Sequence, residues 1–292
     1  MKRSRRTFYT PTFLIPASVI YIVFFVLPIV IGFVLAFTDW NAFSTDINFV
    51  GFKNFKEAFN HRIIRVAIKN TLIFAIVSTI GKNVIGLLLA ILFNNQLKMR
   101  NYARTIFYIP SILSSVAIGL MFTSILHPAG LLNAMLEFLH LDFLAHDWLV
   151  ESGLGIISVA FVEIWQWSGY HMAIYIAGLQ VISSDYYEAA KIDGAGWYAS
   201  LIHITLPLLM PAFSVNIVLS LIGGLKVFGP VYVLTGGGPG YSTQVMSTFV
   251  FKAFGEGSWA LGTAANMILF IVIALISMTL LKYLRKKEDK II

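Results

Sequence analysis

From Phe13 to Phe37 the chain carries no charged side chain. A helix of about 20 such residues reaches across the roughly 30 Å hydrocarbon layer of a bilayer. Comparable apolar runs return at about 71–93, 105–126, 154–179, 208–227 and 259–281. In lipid each spanning segment must satisfy its own backbone N–H and C=O groups, which a helix does. The expected fold class is an all-α integral membrane protein with six transmembrane helices. Pro16 and Pro28 in the first run fit this reading, because neighbouring groups in a bundle can take up the carbonyls a proline frees. Composition agrees. Charged residues make up 12% of the chain and hydrophobic ones 58%, with a mean hydropathy of +0.81, whereas a soluble domain carries about 25% charged residues. A water-soluble protein is excluded. The absence of cysteine excludes disulfides and thiolate metal sites.

The formal charge of +7 could point to nucleic acid, but the basic residues cluster at the ends of the apolar runs. That pattern belongs to membrane topology, and no nucleic-acid partner is expected. Met1–Arg6 is basic and precedes a run too long for a signal-peptide core, with no small-residue cleavage site, so an uncleaved first span is expected. With the N-terminus inside, cytoplasmic segments hold thirteen Lys and Arg and outer segments six. Both termini are therefore expected in the cytoplasm of a multi-pass protein. No internal repeat or linker is visible, and residues 1–292 read as a single transmembrane domain.

The most informative stretch lies between the fourth and fifth runs, in the segment 183–207. It reads Glu188-Ala189-Ala190-Lys191-Ile192-Asp193-Gly194-Ala195 and continues to Ile204-Thr205-Leu206-Pro207. The pattern is helical up to Asp193 and breaks at Gly194, which permits a backbone reversal that other residues disfavour. Small residues beside exposed acids on the cytoplasmic side suit a soluble partner; taken alone, the stretch is equally an ordinary interhelical loop. It resembles, however, the EAA signature of ABC importer permeases, in which E-A-A is followed by D-G-A and then I-x-L-P. Leu201 stands where many members carry Phe. Trp165-Gln166-Trp167-Ser168-Gly169-Tyr170 with Ala177-Gly178-Leu179-Gln180 resembles the fourth span of carbohydrate-type permeases. Lys226-Val227-Phe228, the turn Thr235–Gly240 and the segment Asn48–Phe55 resemble their fifth-span exit and outer segments, with Gly229 where many relatives have Asp.

The resemblance, to the maltose and glycerol-3-phosphate permease-like group, implies a type I ABC importer (MetI-like) permease fold. It implies that Glu188, Ala189, Ala190, Asp193, Gly194 and Ala195 couple to a cytoplasmic ATPase. The implied partners are a second homologous permease, two ABC ATPase subunits, an extracytoplasmic solute-binding protein and a sugar, in a bacterial cell membrane. ATP and Mg would be held by the ATPase and no cofactor by this chain. Independently, G-x-x-x-x-G-K-[ST] is absent, and Gly236–Gly240 reads as an outer turn. An ion-coupled transporter or channel, an importer of a non-sugar solute, and a membrane scaffold without a pathway are the alternatives.

Polar groups inside spans are unfavourable in lipid and usually face protein or water. Glu163, Gln166, Trp167 and Tyr170 stand at i, i+3, i+4 and i+7, on one helical face. Rings beside hydrogen-bonding groups suit a sugar pathway, and they suit interhelical packing as well. Trp165 points elsewhere. Asn216, Ser220 and Gly223 recur on the fifth run, with Lys226 either beside the pathway or snorkelling to the interface. Lys82 sits too deep in the second run to snorkel and is expected to pair with a carboxylate, Glu163 being the candidate nearest in depth. His171 and His203 lack partners at metal spacing and read as structural. No metal site and no nucleophile–base arrangement is readable, so no catalytic residue is expected.

Overall fold

A computed structural model describes residues 11–94, 99–151 and 153–289. Met1–Thr10, Lys98 and Lys290, which enter the charge count above, lie outside the described residues. In chain order the principal helices are α1 (Ile15–Leu35), α2 (Lys53–Asn60), α3 (Arg62–Asn94), α4 (Arg100–Ile112), α5 (Ser115–Ile125) and α6 (Leu131–Phe138). They continue with α7 (Leu154–Val181), α8 (Ser184–Ile192), α9 (Trp197–Leu208), α10 (Met210–Leu225), α11 (Gly229–Leu234), α12 (Met246–Gly255) and α13 (Trp259–Glu288). Packing divides the described residues into two compact units. One holds the residues up to Asn60 with Val250–Ile268, the other His61–Phe249 with Leu269 onward.

In the first unit, α1 buries none of its apolar window within the chain. Asn54 pins α2 to the end of α1, its amide donating to the carbonyls of Ala36 (2.8 Å) and Thr38 (2.7 Å). The Trp40 ring lies 4.8 Å from that of Trp259, and the Trp40 carbonyl accepts from the N–H of Ala260 (2.9 Å). The carboxylate of Asp39 accepts the backbone and side-chain N–H groups of Asn48 (2.7 and 3.2 Å), which holds it below the usual carboxylate range.

The second unit is built on α3 and α7. Residue numbers climb together along this pair: Lys82 meets Glu163, and Gly86 lies against His171. The two helices therefore run parallel, and α4 with α5 supplies the return crossing between them. On α10 the numbers run the other way, with Asn216 at His171, Ser220 at Asn83 and Gly224 at Ala75, so α10 is antiparallel to both. One apolar cluster joins Phe74, Ile156, Val159 and Val162 to Ile118, Val231 and Val245. A second joins Ala90 and Phe93 to Met172, Tyr175, Leu179, Leu209 and Ala212. Along α3 and α7, a polar layer falls between them.

Helices α1, α3 and α13 are each long and apolar enough to cross a membrane, and two bent pairs pass the same test jointly. The expected third span is one such pair, bent by 97° between α4 and α5. Pro110 cannot donate in the last turn of α4, Leu113 is extended, and Ser114 caps α5 by accepting from the N–H of Val116 (3.3 Å). The expected fifth span is bent by 64° where α9 meets α10, between Pro207 and Pro211. Helix α3 starts at Arg62, nine residues before the apolar run at Thr71, because a helix continues past the lipid while its polar residues are solvated. Helix α7 has the length to span but is not among the helices apolar enough to pass. It carries Glu163, Gln166, Ser168 and His171 and buries them against its neighbours rather than in lipid.

At Gly169 the backbone of α4 approaches α7 so closely that a Cβ would overlap the Phe107 carbonyl. Gly169→Ala should therefore push the two helices apart and lower the stability of the purified protein by about 1–3 kcal/mol, the usual range for overpacking. Gly255→Ala, where a Cβ meets open space, should leave the thermal melt unchanged.

Candidate functional site

Two features of the second unit bring polar chemistry together: a cavity within the helix bundle and an exposed elbow at α8. The cavity, of about 340 Å³, is lined by Lys82 from α3, by Glu163, Trp167, Tyr170 and His171 from α7, by Ser115 from α5, by Leu219, Ser220 and Gly223 from α10, and by Val227, Phe228 and Pro230 beyond it. The periodicity of α7 explains the grouping, since residues 163, 167 and 170–171 recur on one helical face. Lys82 Nζ lies 3.4 Å from Glu163 Oε1, with both side chains nearly buried (3% and 10% exposed). The Trp167 ring meets Tyr170 edge-on at 5.8 Å, and Tyr170 meets His171 at 5.6 Å.

Behind the lining, a hydrogen-bonded seam fixes the three helices. The Asn83 amide donates to Ser220 Oγ (2.8 Å) and to the Thr79 carbonyl (2.8 Å), while its oxygen accepts from the Tyr175 hydroxyl (2.6 Å). His171 Nδ1 lies 2.7 Å from Asn216 Oδ1, and the Asn216 amide donates to the His171 carbonyl (3.3 Å). The amides of Asn83 and Asn216 are thus paired, as the low dielectric of the interior requires.

Of the residues singled out from sequence, Glu163, Trp167, Tyr170 and Ser220 come together at the cavity, as does Lys82 with its expected partner. Gln166 does not line it. Its amide donates to the Leu113 carbonyl (3.1 Å) and so satisfies a backbone group freed by the α4–α5 break. Asn216 lies behind His171, and Lys226 ends α10 with its side chain exposed and outside the cavity lining. Trp165 faces outward against Phe122. His171, which reads as structural from the sequence, bonds Asn216 and also lines the cavity, its position four residues after Trp167 placing it on that face. Ser115 carried no sequence signal, and Phe228 stood only within the Lys226-Val227-Phe228 resemblance; the α4–α5 break and the chain turn after α10 bring them to the cavity.

The elbow is built by local chemistry. Ser183 caps α8, its hydroxyl accepting from the N–H of Asp185 (3.3 Å). At the other end Gly194 adopts φ +78°. The N–H of Ala195 donates to the Ala190 carbonyl (2.8 Å) and that of Gly194 to the Lys191 carbonyl (3.1 Å), the pair of bonds that closes a helix with a left-handed residue. Glu188, Ala189, Asp193 and Gly194 are exposed, Ala195 is half-buried, and Ala190 turns inward. Around them Ile192, Trp197 and Tyr198 stand in solvent, Ile192 at 87% exposure. Tyr187 ties the elbow to α9 through the Thr205 hydroxyl (3.0 Å). Among the described residues no group of His, Asp and Glu is placed to hold a metal ion.

The second unit thus combines a parallel helix pair and an antiparallel partner with a cavity lined by polar and apolar groups and a helical elbow. Over residues 82–290 the chain matches the family described as binding-protein-dependent transport system inner membrane component, and it belongs to that family. It is 34% identical to the probable ABC transporter permease protein YurN of Bacillus subtilis, over 95% of this chain and 96% of that protein. It is 32% identical to the probable starch degradation products transport system permease protein AmyD of Thermoanaerobacterium thermosulfurigenes, over 94% of each. Its fold follows a chain of a bacterial ABC transporter involved in the import of the acidic polysaccharide alginate, with a TM-score of 0.82, 27% identity and 94% of each chain covered. The fold is that of a type I ABC importer permease. The protein is a membrane-embedded permease subunit, and ATP hydrolysis falls to partner subunits.

Removing one member of a buried ion pair strands the other charge, at a cost of about 3–5 kcal/mol. Lys82→Met and Glu163→Gln should each lower the thermal stability of the purified permease markedly. The double variant should recover most of that loss. Additive losses in the double-mutant cycle would show that the two groups do not interact.

Proposed function

We propose that this permease passes an oligosaccharide through the α3–α7–α10 cavity, driven by ATPases that grip the α8 elbow. The observation that carries the reading is the lining itself. Two half-buried aromatic rings, Trp167 and Tyr170, stand beside hydrogen-bonding groups of both polarities, Lys82, Glu163 and Ser220. Sugars present apolar C–H faces that pack on rings and hydroxyls that need both donors and acceptors. The relatives point the same way, since one is named for starch degradation products and the structural neighbour for alginate. Those names cover neutral and acidic carbohydrate alike.

In this proposal the complex holds a second homologous permease, two cytoplasmic ATPase subunits with their ATP and Mg, and an extracytoplasmic binding protein that delivers the sugar. Glu188, Ala189, Asp193 and Gly194 form the surface the ATPase grips, with Ala190 and Ala195 behind it shaping the turn. The exposed Ile192, Trp197 and Tyr198 support a docking surface, because apolar side chains gathered outside the bundle are normally covered by a partner. The distribution of Lys and Arg supports six spans with both termini in the cytoplasm of a bacterial cell.

Uptake by the assembled transporter in proteoliposomes tests the pathway. Trp167→Ala and Tyr170→Ala should each lower labelled-oligosaccharide uptake by about threefold to tenfold, the scale of one aromatic contact. Unchanged uptake in both variants would remove the cavity from the pathway. For the elbow, a β-branched side chain at a left-handed position costs about 1–3 kcal/mol of strain. Gly194→Val should abolish ATPase stimulation by the loaded binding protein while the permease still inserts and pairs; retained stimulation would place the grip elsewhere. Because the chain has no cysteine, Ala189→Cys gives a unique label, expected to react only from the cytoplasmic side.

A further inference from the structure

We infer that the Lys82–Glu163 pair sets the charge selectivity of the cavity, so that it takes an uncharged polyhydroxylated solute and turns away an acidic one. This rests on the cavity being a sugar pathway.

The neighbouring seam shows what a purely structural polar group looks like in this bundle. Asn83 has both amide hydrogens donated and its oxygen occupied. The ion pair is different. Among the described residues Lys82 Nζ makes one hydrogen bond, to Glu163 Oε1 at 3.4 Å, longer than the roughly 2.7–2.9 Å of a close charge-assisted bond. Among those residues two of its three donors remain and Glu163 Oε2 makes no hydrogen bond. A buried pair is stable only when its remaining donors and acceptors are satisfied. Here those groups face a cavity, so its contents must complete them. Two adjacent hydroxyls do so: one accepts from the ammonium and the other donates to the free carboxylate oxygen, while the ring lies against Trp167 or Tyr170.

The same pair disfavours an acid. Among the described residues, Lys82 and Glu163 are the only lysine, arginine or acidic side chains in the lining, with His171 and Tyr170 its other titratable groups. A carboxylate entering would be drawn to Lys82 and repelled by Glu163 at nearly the same distance. It would lose its hydration with no net charge to replace it. One relative is named for starch degradation products and the structural neighbour for the acidic polysaccharide alginate; in this chain the choice falls to Lys82 and Glu163.

Equilibrium dialysis of the assembled permease–ATPase complex in nanodiscs, without the binding protein, reads the cavity directly. The probes are labelled maltotriose and labelled trigalacturonate, matched in length, one uncharged and the other acidic. The wild-type complex should favour maltotriose by about tenfold or more, and Glu163→Gln, which leaves Lys82 uncompensated, should shift the ratio toward trigalacturonate by at least about tenfold. Lys82→Met should shift it the other way and serves as the test if Glu163→Gln does not assemble. The exchange Lys82→Glu with Glu163→Lys keeps the cavity neutral and should keep the wild-type preference. A purely structural pair would alter stability without moving this ratio. An unchanged ratio in the single variants, or a wild-type preference for trigalacturonate, overturns the inference and leaves the sugar pathway standing. Saturable binding of neither probe to the wild type overturns both.

Discussion

A lysine and a glutamate held 3.4 Å apart inside the bundle determine how the surrounding helices are arranged. Neither charge can face lipid, so α3 and α7 must meet at Lys82 and Glu163, with α5 and α10 packed beside that junction. The apolar clusters at Phe74–Val159 and Ala90–Tyr175 lie on either side of it along the pair. The Asn83–Ser220 and His171–Asn216 bonds then fix α10 in register. What remains open beside the pair is the cavity. The constraint that organises the packing thus also supplies the pathway with polar groups.

Much of this was legible in the sequence because lipid leaves few options. Charge-free runs become helices, and a lysine deep in one of them needs an acid at matching depth, which made Glu163 readable as its partner. The elbow was legible for a local reason: Gly194 follows the E-A-A helix at the point where only a left-handed residue allows the closing bonds from Ala195 and Gly194.

The rest depended on contacts no spacing encodes. Gln166 shares the periodicity of Glu163 and Tyr170, yet its amide is claimed by the Leu113 carbonyl at a break the apolar run from Thr105 to Leu126 conceals. His171 reads from the sequence as structural, but its partner, Asn216 on a helix 45 residues away, is a tertiary fact. In α8 the paired alanines look equivalent, but helical geometry sends Ala190 inward and Ala189 outward. Periodicity shows which face a residue is on; only packing shows whether that face meets a neighbouring helix or a cavity.

The central claim is that the ion pair is left incomplete so that cargo can complete it. A cryo-EM structure of the assembled transporter, trapped with maltotriose in its membrane cavity, tests this most directly. The account predicts a sugar ring against Trp167 or Tyr170, with hydroxyls within hydrogen-bond distance of Lys82 Nζ and Glu163 Oε2. A sugar bound elsewhere in the bundle, with Lys82 and Glu163 closed on each other and walled off from it, would contradict the account.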